Sequence, residues 1–216
     1  MQQAPPEGLR ARKRREVRQR ISDTATRLFL ERGFEAVPVE EVARAADVSK
    51  ATVFNYFECK EDLLLDRAPA LIEHVRRALE CARPGHALAA LGDALRELVI
   101  TGDPLSGTIP AIKWFWPLVT STASLRARAQ HQGEVFQAEL ARLLKAAGLG
   151  KDAPMVAAMV VAVWWLAWRT AVEQVQAGRT LSRVRAEQRA TLERAFAALA
   201  RAFPQAPQAA RKGPRA

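Results

Sequence analysis

Apolar residues recur at spacings of three and four along nearly the whole chain, and nowhere do they alternate convincingly as strand residues would. The pattern predicts an all-α protein. It opens with a long helix over residues 15–32 that closes at Gly33, followed by two short helices. In the first short helix Val39, Val42, Ala43 and Ala46 form one apolar face. Glu40 and Glu41 stand in its first turn, where the helix dipole favours negative charge. Asp47 takes the turn, a residue type that tolerates left-handed backbone, and Val48 is placed to plug that turn into the core. Ser49 is a good N-cap for the next helix. There Val53 and Phe57, four apart, face inward and leave Lys50, Ala51, Thr52, Asn55 and Tyr56 toward solvent or a partner.

Further along, the pattern predicts a connecting helix over residues 60–82 with Pro69 near its middle or at a break. A fifth helix covers 87–101, and a loop with two prolines and two glycines covers 102–110. A short helix carrying Trp114, Phe115 and Trp116 is interrupted near Pro117. Long helices follow over 121–147, 153–177 and 181–203. The 153–177 helix is apolar nearly all round in its first half, so it must be covered on more than one side. Its apolar run, residues 153–168, is shorter than the ~20 residues of a membrane span and meets Arg169 directly, which favours a buried helix and no membrane partner. The last helix carries Leu192, Phe196, Leu199 and Phe203 on one stripe, with Arg185, Glu187, Arg189 and Glu193 elsewhere.

Composition sharpens this picture once charge is located. The chain has 216 residues, is 49% hydrophobic and carries a net charge of +10. Residues 1–20 hold seven basic and two acidic residues, and residues 201–216 hold four basic and none acidic. Residues 21–66 hold five basic and ten acidic residues, so the two short helices sit in an acidic stretch preceded by a basic arm. The N-terminus has no apolar signal region. The two cysteines read as reduced cytoplasmic thiols, with Cys59 beside Lys60, a neighbour that lowers a thiol pKa. If Cys59 and Cys81 bracket one helix they stand about 30 Å apart, too far for a disulfide. No catalytic constellation emerges: His74, His86 and His131 are isolated, no metal-ligand spacing surrounds them, and no phosphate loop follows a strand. The expectation is therefore no enzyme, no cofactor and no metal.

Two short helices joined by a tight turn are the layout of a helix-turn-helix, whose second helix enters the DNA major groove. Three ordinary amphipathic helices would show the same bare pattern, so the flanking segments decide. Arg32-Gly33-Phe34-Glu35, Val39-Glu40-Glu41-Val42-Ala43, Ala46-Asp47-Val48-Ser49, residues 52–57 and Lys60-Glu61-Asp62-Leu63 together resemble the TetR family of transcriptional regulators over residues 10–66. Pro38 stands where Thr or Ser is usual before the second helix, and Cys59 where a small hydroxyl or Asn is usual. The resemblance implies base or groove contacts from Lys50, Ala51, Thr52 and Asn55, and phosphate contacts from Tyr56 and Lys60. Ser49 is the expected cap and can also reach a phosphate. Phe54 replaces the family's usual Tyr and can pack on a sugar or thymine methyl without hydrogen-bonding. Arg14 and Arg15, in the basic segment adjoining the motif, are expected at phosphates or in the minor groove.

The resemblance also implies a homodimer through the last two long helices, a palindromic double-stranded DNA operator, and release by a small-molecule effector. The domain reading is a flexible basic arm over 1–13, a DNA-binding domain over 14–59, an effector and dimerisation domain over 60–203, and a disordered basic tail over 204–216. Five tryptophans point either to core and interface packing or to an aromatic-lined pocket for an apolar effector. Candidate lining residues are Trp114, Trp116, His131, Phe136, Trp165, Trp168 and Arg169, of which His131 and Arg169 could meet an acidic head group. Trp164 and Trp168 are expected to share a helix face. Leu125-Arg126-Ala127-Arg128 and Ala177-Gly178-Arg179 resemble the family's subgroup with acyl-CoA-like ligands, which implies an acyl-type or other bulky apolar effector. Pro69 is the expected place for the accompanying motion. The reading is a ligand-responsive repressor. A transcriptional activator or a ligand-independent architectural DNA-binding protein would carry the same motif.

Overall fold

In the computed structural model, which describes residues 8–204, the elements are helical, with no strand among the described residues. Helix α1 is Leu9–Arg32, α2 Val39–Ala45, α3 Lys50–Phe54, α4 Ala68–Glu80, α5 Ala87–Thr101, α6 Ile112–Ser121, α7 Ala123–Leu144, α8 Ala153–Gln176 and α9 Leu181–Ala202. The chain forms two compact bodies. The first holds the described residues up to Asp66 together with Pro117–Ala129; the second holds Arg67–Trp116 and the described residues from Gln130 on. The first body therefore runs past the expected 14–59 limit and recruits a segment from the middle of the sequence.

The first body is organised by α1. Ile21, Ala25 and Phe29 are fully buried at four-residue spacing, and the Phe29 ring lies 4.9 Å from that of Phe34 beyond the helix. Helix α1 packs against α2 and against a single 3-10 turn, Glu61–Leu63, and α2 packs against α3. Helix α1 begins at Leu9, six residues before the sequence expectation, so residues 9–13 of the expected flexible arm are helical. An unbroken run of good helix formers, Leu-Arg-Ala-Arg-Lys-Arg-Arg, explains the extension, because no breaker separates it from the amphipathic part. Residues 1–7 of that arm and 205–216 of the expected tail lie outside the described residues.

The helix-turn-helix is local in its causes. Pro38 occupies the N-cap of α2, and α2 still begins at Val39. Asp47 adopts φ 53°, the one non-glycine residue with positive φ among those described. The turn closes through Val48 N–H to the Ala43 carbonyl at 3.0 Å. The Ser49 hydroxyl then accepts from Thr52 N–H at 3.0 Å and caps α3.

The second body packs α5 against α4 and α9, and α8 against α9. Its main core gathers Leu88, Leu91 and Leu95 of α5, Leu140 and Leu144 of α7, Val156, Val160 and Trp164 of α8, and Leu192, Phe196 and Leu199 of α9. The α9 stripe read from the sequence is thus the stripe that is buried. Gly92 lets α5 approach α9 closely: a Cβ there would stand 2.9 Å from Cγ of Phe196. The loop after α5 is held from inside. Gln188 donates to the Ser106 carbonyl at 3.0 Å, and Arg185, expected off the apolar stripe of α9, donates to the Thr108 carbonyl at 2.9 Å. Gly107 in that loop has φ 74°, and a Cβ there would meet Trp168 Nε1 at 2.7 Å.

Pro69 falls at a break, one of its two expected places, whereas Pro117 departs from expectation. The expected 60–82 helix is divided, and Pro69 stands in the first turn of α4, where its missing N–H has no helical partner to lose. It is a start signal and not a kink. Pro117 lies inside α6 without ending it. Lys113, whose carbonyl would have received the missing N–H, and Pro117 are both exposed, so water can take that place.

Candidate nucleic-acid interface

The first body presents α3 on two buried anchors, Val53 and Phe57, which are 1% and 2% exposed. Around these pivots Ser49, Lys50, Ala51, Phe54 and Asn55 are exposed, while Thr52 and Tyr56 are half-buried. The residues expected to read DNA therefore share one outward surface, with Lys60 apart from it. Their polar groups are partly committed. The Thr52 hydroxyl lies 2.8 Å from that of Ser49. The Lys50 ammonium pairs with Glu40 of α2 and stands 5.9 Å from the centre of the Phe54 ring. That hydrogen bond holds the Glu40 carboxyl below its ordinary 4.5.

The segment after α3 is fastened by hydrogen bonds from three cations, Arg18, Lys60 and Arg128, and a fourth, Arg14, stacks on it. Arg18 of α1 donates to the Tyr56 carbonyl and lies 4.3 Å from the centre of the Phe57 ring. Arg14, one turn earlier, stacks 5.7 Å from the Tyr56 ring centre. Lys60, expected at a DNA phosphate, donates to the Phe34 carbonyl at 2.7 Å and stands 4.4 Å from the Phe34 ring centre. Arg128 of α7 forks onto Asp62, with Nε to Oδ1 at 2.8 Å and a terminal nitrogen to Oδ2 at 2.7 Å, and reaches Glu58 at 2.9 Å. Hydrogen bonds to Asp62 and then Glu58 push the guanidinium pKa further up. Arg14 and Arg15 are both exposed on the N-terminal half of α1.

The structural roles of Arg18 and Arg128 escaped the sequence reading, although a signal existed for each. Arg18 is four residues after Arg14 and three before the buried Ile21; Arg128 is three after the fully buried Leu125. A basic residue at core spacing marks a charge directed at the protein itself. Cys59 is a correction. Burial raises its thiol to about 11, and its sulfur faces Asp62 Oδ2 at 3.4 Å, so the neighbouring Lys60 does not activate it. Both cysteines are free thiols.

The seven effector candidates do not converge. Trp116, Trp165 and Trp168 form one cluster, with Trp165 and Trp168 stacked at 5.3 Å and Trp116 edge-on to both. Trp164 is buried in the main core and Trp168 packs against that core too, as their shared helix face predicts, while Trp168 also stacks on Trp165. Phe136 is buried in that core, Trp114 is 71% exposed, and His131 is exposed. Arg169 is exposed and pairs with Glu173 at 3.7 Å. A groove of about 400 Å³ between α8 and α9 is lined by Leu166, Thr170, Gln174, Glu187, Thr191 and Arg194 among others, and by none of the seven.

Residues 21–66 match the family model for bacterial regulatory proteins of the tetR family. The chain is 32% identical to the transcriptional regulator TcmR of Streptomyces glaucescens over 162 residues, 73% of this chain and 72% of that protein. It is 27% identical to the transcriptional repressor KstR of Mycolicibacterium smegmatis, covering 72% of this chain and 78% of the relative. A TetR-family regulator of Streptomyces coelicolor shares the fold with a TM-score of 0.50 at 20% identity, over 91% of this chain and 99% of its own. By these similarities the chain belongs to the TetR family of DNA-binding transcriptional regulators.

Proposed function

We propose that the protein is a cytoplasmic, homodimeric repressor that leaves a palindromic operator when a small apolar or acyl-type effector binds its second body. The observation that carries DNA reading is the outward surface of α3, where Lys50, Ala51, Phe54 and Asn55 are exposed above the buried Val53 and Phe57. Lys50 and Asn55 supply donors, Asn55 also an acceptor, and Ala51 and Phe54 apolar contact, the groups that read base edges in a major groove. Arg14 and Arg15 supply phosphate attraction that the acidic 21–66 stretch lacks.

Dimerisation is supported by α8. Met155, Met159 and Leu166 are 48%, 40% and 53% exposed at helical spacing, an apolar stripe beside the α8/α9 groove. A two-fold pairing would cover this stripe with its own copy. An apolar effector is supported by the Trp116, Trp165 and Trp168 cluster, in which Trp165 remains 47% exposed.

The experiment is fluorescence anisotropy on the chain's own upstream DNA, followed by a ligand panel scored first by thermal shift and then by release from that DNA. Binding followed by release with at least one apolar compound supports the reading. Binding that no compound relieves replaces it with a ligand-independent regulator.

A further inference from the structure

Residues 56–62, immediately after the recognition helix, are held by Arg18, Lys60 and Arg128. Arg18 comes from α1 and Lys60 from the segment itself, both parts of the first body. Arg128 comes from α7. That helix is unbroken from Ala123 to Leu144, yet residues up to Ala129 belong to the first body and the rest to the second, where Phe136, Leu140, Leu143 and Leu144 enter the main core. Arg128 sits one residue before the changeover.

We propose that Arg128 is the positioning residue that ties the state of α7 to the recognition helix, through its fork on Asp62 and its contact with Glu58. The chemistry suits that work. Asp62 is only 8% exposed, so a guanidinium that moved away would take both arms of its fork from a buried carboxylate. A planar fork resists rotation as well as withdrawal, which a single-point ammonium would not. Glu58 and Asp62 flank the turn that follows Phe57, so a shift of α7 pulls at the anchored end of α3. Leu125, fully buried one turn before Arg128, keeps the helix from sliding independently of the fork.

The inference rests on residues 50–57 being the DNA-contacting segment, and it is testable without an effector because coupling between two sites is reciprocal. Hydrogen exchange is followed on the full-length protein with and without its operator duplex. In the wild type, DNA is expected to slow exchange in α3 and also, by about fivefold or more, in residues 130–144. In Arg128→Gln the α3 effect is expected to remain while that at 130–144 disappears. Arg128→Lys keeps the charge without the fork and Asp62→Asn breaks the pair from the other side. Each is expected to shrink the distant effect in the same way, and either serves if Arg128→Gln does not fold. A distant effect that persists in the variants, or is absent from a wild type whose α3 is protected, overturns the proposal. Absent protection of α3 in the wild type would instead overturn the DNA-contact reading beneath it.

Discussion

The two bodies use their most distinctive side chains in opposite ways. In the first, cations are committed inward: Arg18 and Lys60 to backbone carbonyls, and Arg128 to Asp62 and Glu58. Those bonds leave α3 to present short polar and aromatic residues outward. In the second, aromatic residues are committed to one another or to the core, as with Trp116, Trp165 and Trp168, and with Trp164. The difference teaches that a residue type alone does not mark a ligand contact. Lysine just after a helix-turn-helix can be structural, and tryptophans clustered in a helical body can be packing.

The largest expected effect removes the anchor beneath α3. Phe57→Ala leaves a cavity under the recognition surface and is expected to cost about 3–5 kcal/mol and abolish operator binding, read by thermal unfolding and anisotropy. Retained binding would show that α3 is held by something other than its buried side chains. In the second body, Gly92→Ala pushes a methyl into the Phe196 ring and is expected to cost about 1–3 kcal/mol, without change in DNA affinity at a temperature where the protein stays folded.

Lysine pairs sharpen the contrast within the first body. Lys60→Ala strips the Phe34 carbonyl of its donor and is expected to cost about 1–2 kcal/mol of stability while leaving the salt slope of DNA binding intact. Lys50→Ala is expected to spare stability and flatten that slope by about one. The reverse result would return Lys60 to the DNA surface. Smaller still is Glu40→Gln. It frees Lys50 and is expected to tighten operator binding by about twofold to fivefold at low salt. Because Lys50 depresses the Glu40 pKa, the pair is complete at and above neutral pH and is lost only as pH falls through a value below 4.5. The advantage of Glu40→Gln should therefore not vary between pH 6 and 8.

How much of this was legible in the sequence follows from the range of the forces involved. Asp47 in the left-handed region, Ser49 as cap, Val53 and Phe57 as anchors and the α9 stripe are set by neighbours within four residues, and the sequence displays them. The start of α1 at Leu9 was missed because the predicted boundary followed apolar periodicity, whereas the basic run is helical on propensity alone. Apolar spacing does not choose between a kink and a break at Pro69 and wrongly interrupts α6 at Pro117, because whether a proline starts, kinks or merely passes through a helix depends on where the helix begins and which carbonyls reach water. The roles of Lys60 and Arg128 depend on Phe34 and Asp62, 26 and 66 residues away, and no local pattern encodes such partners.

The central claim is that α3 reads base sequence, and the most direct measurement compares wild type and Asn55→Ala on the chain's own operator and on a scrambled duplex at physiological salt. Wild type should prefer the operator by about a thousandfold or more. Asn55→Ala should narrow that preference by about 1–3 kcal/mol, with scrambled DNA bound as before. Equal binding of both duplexes by the wild type, or a uniform loss on both in the variant, would contradict the account.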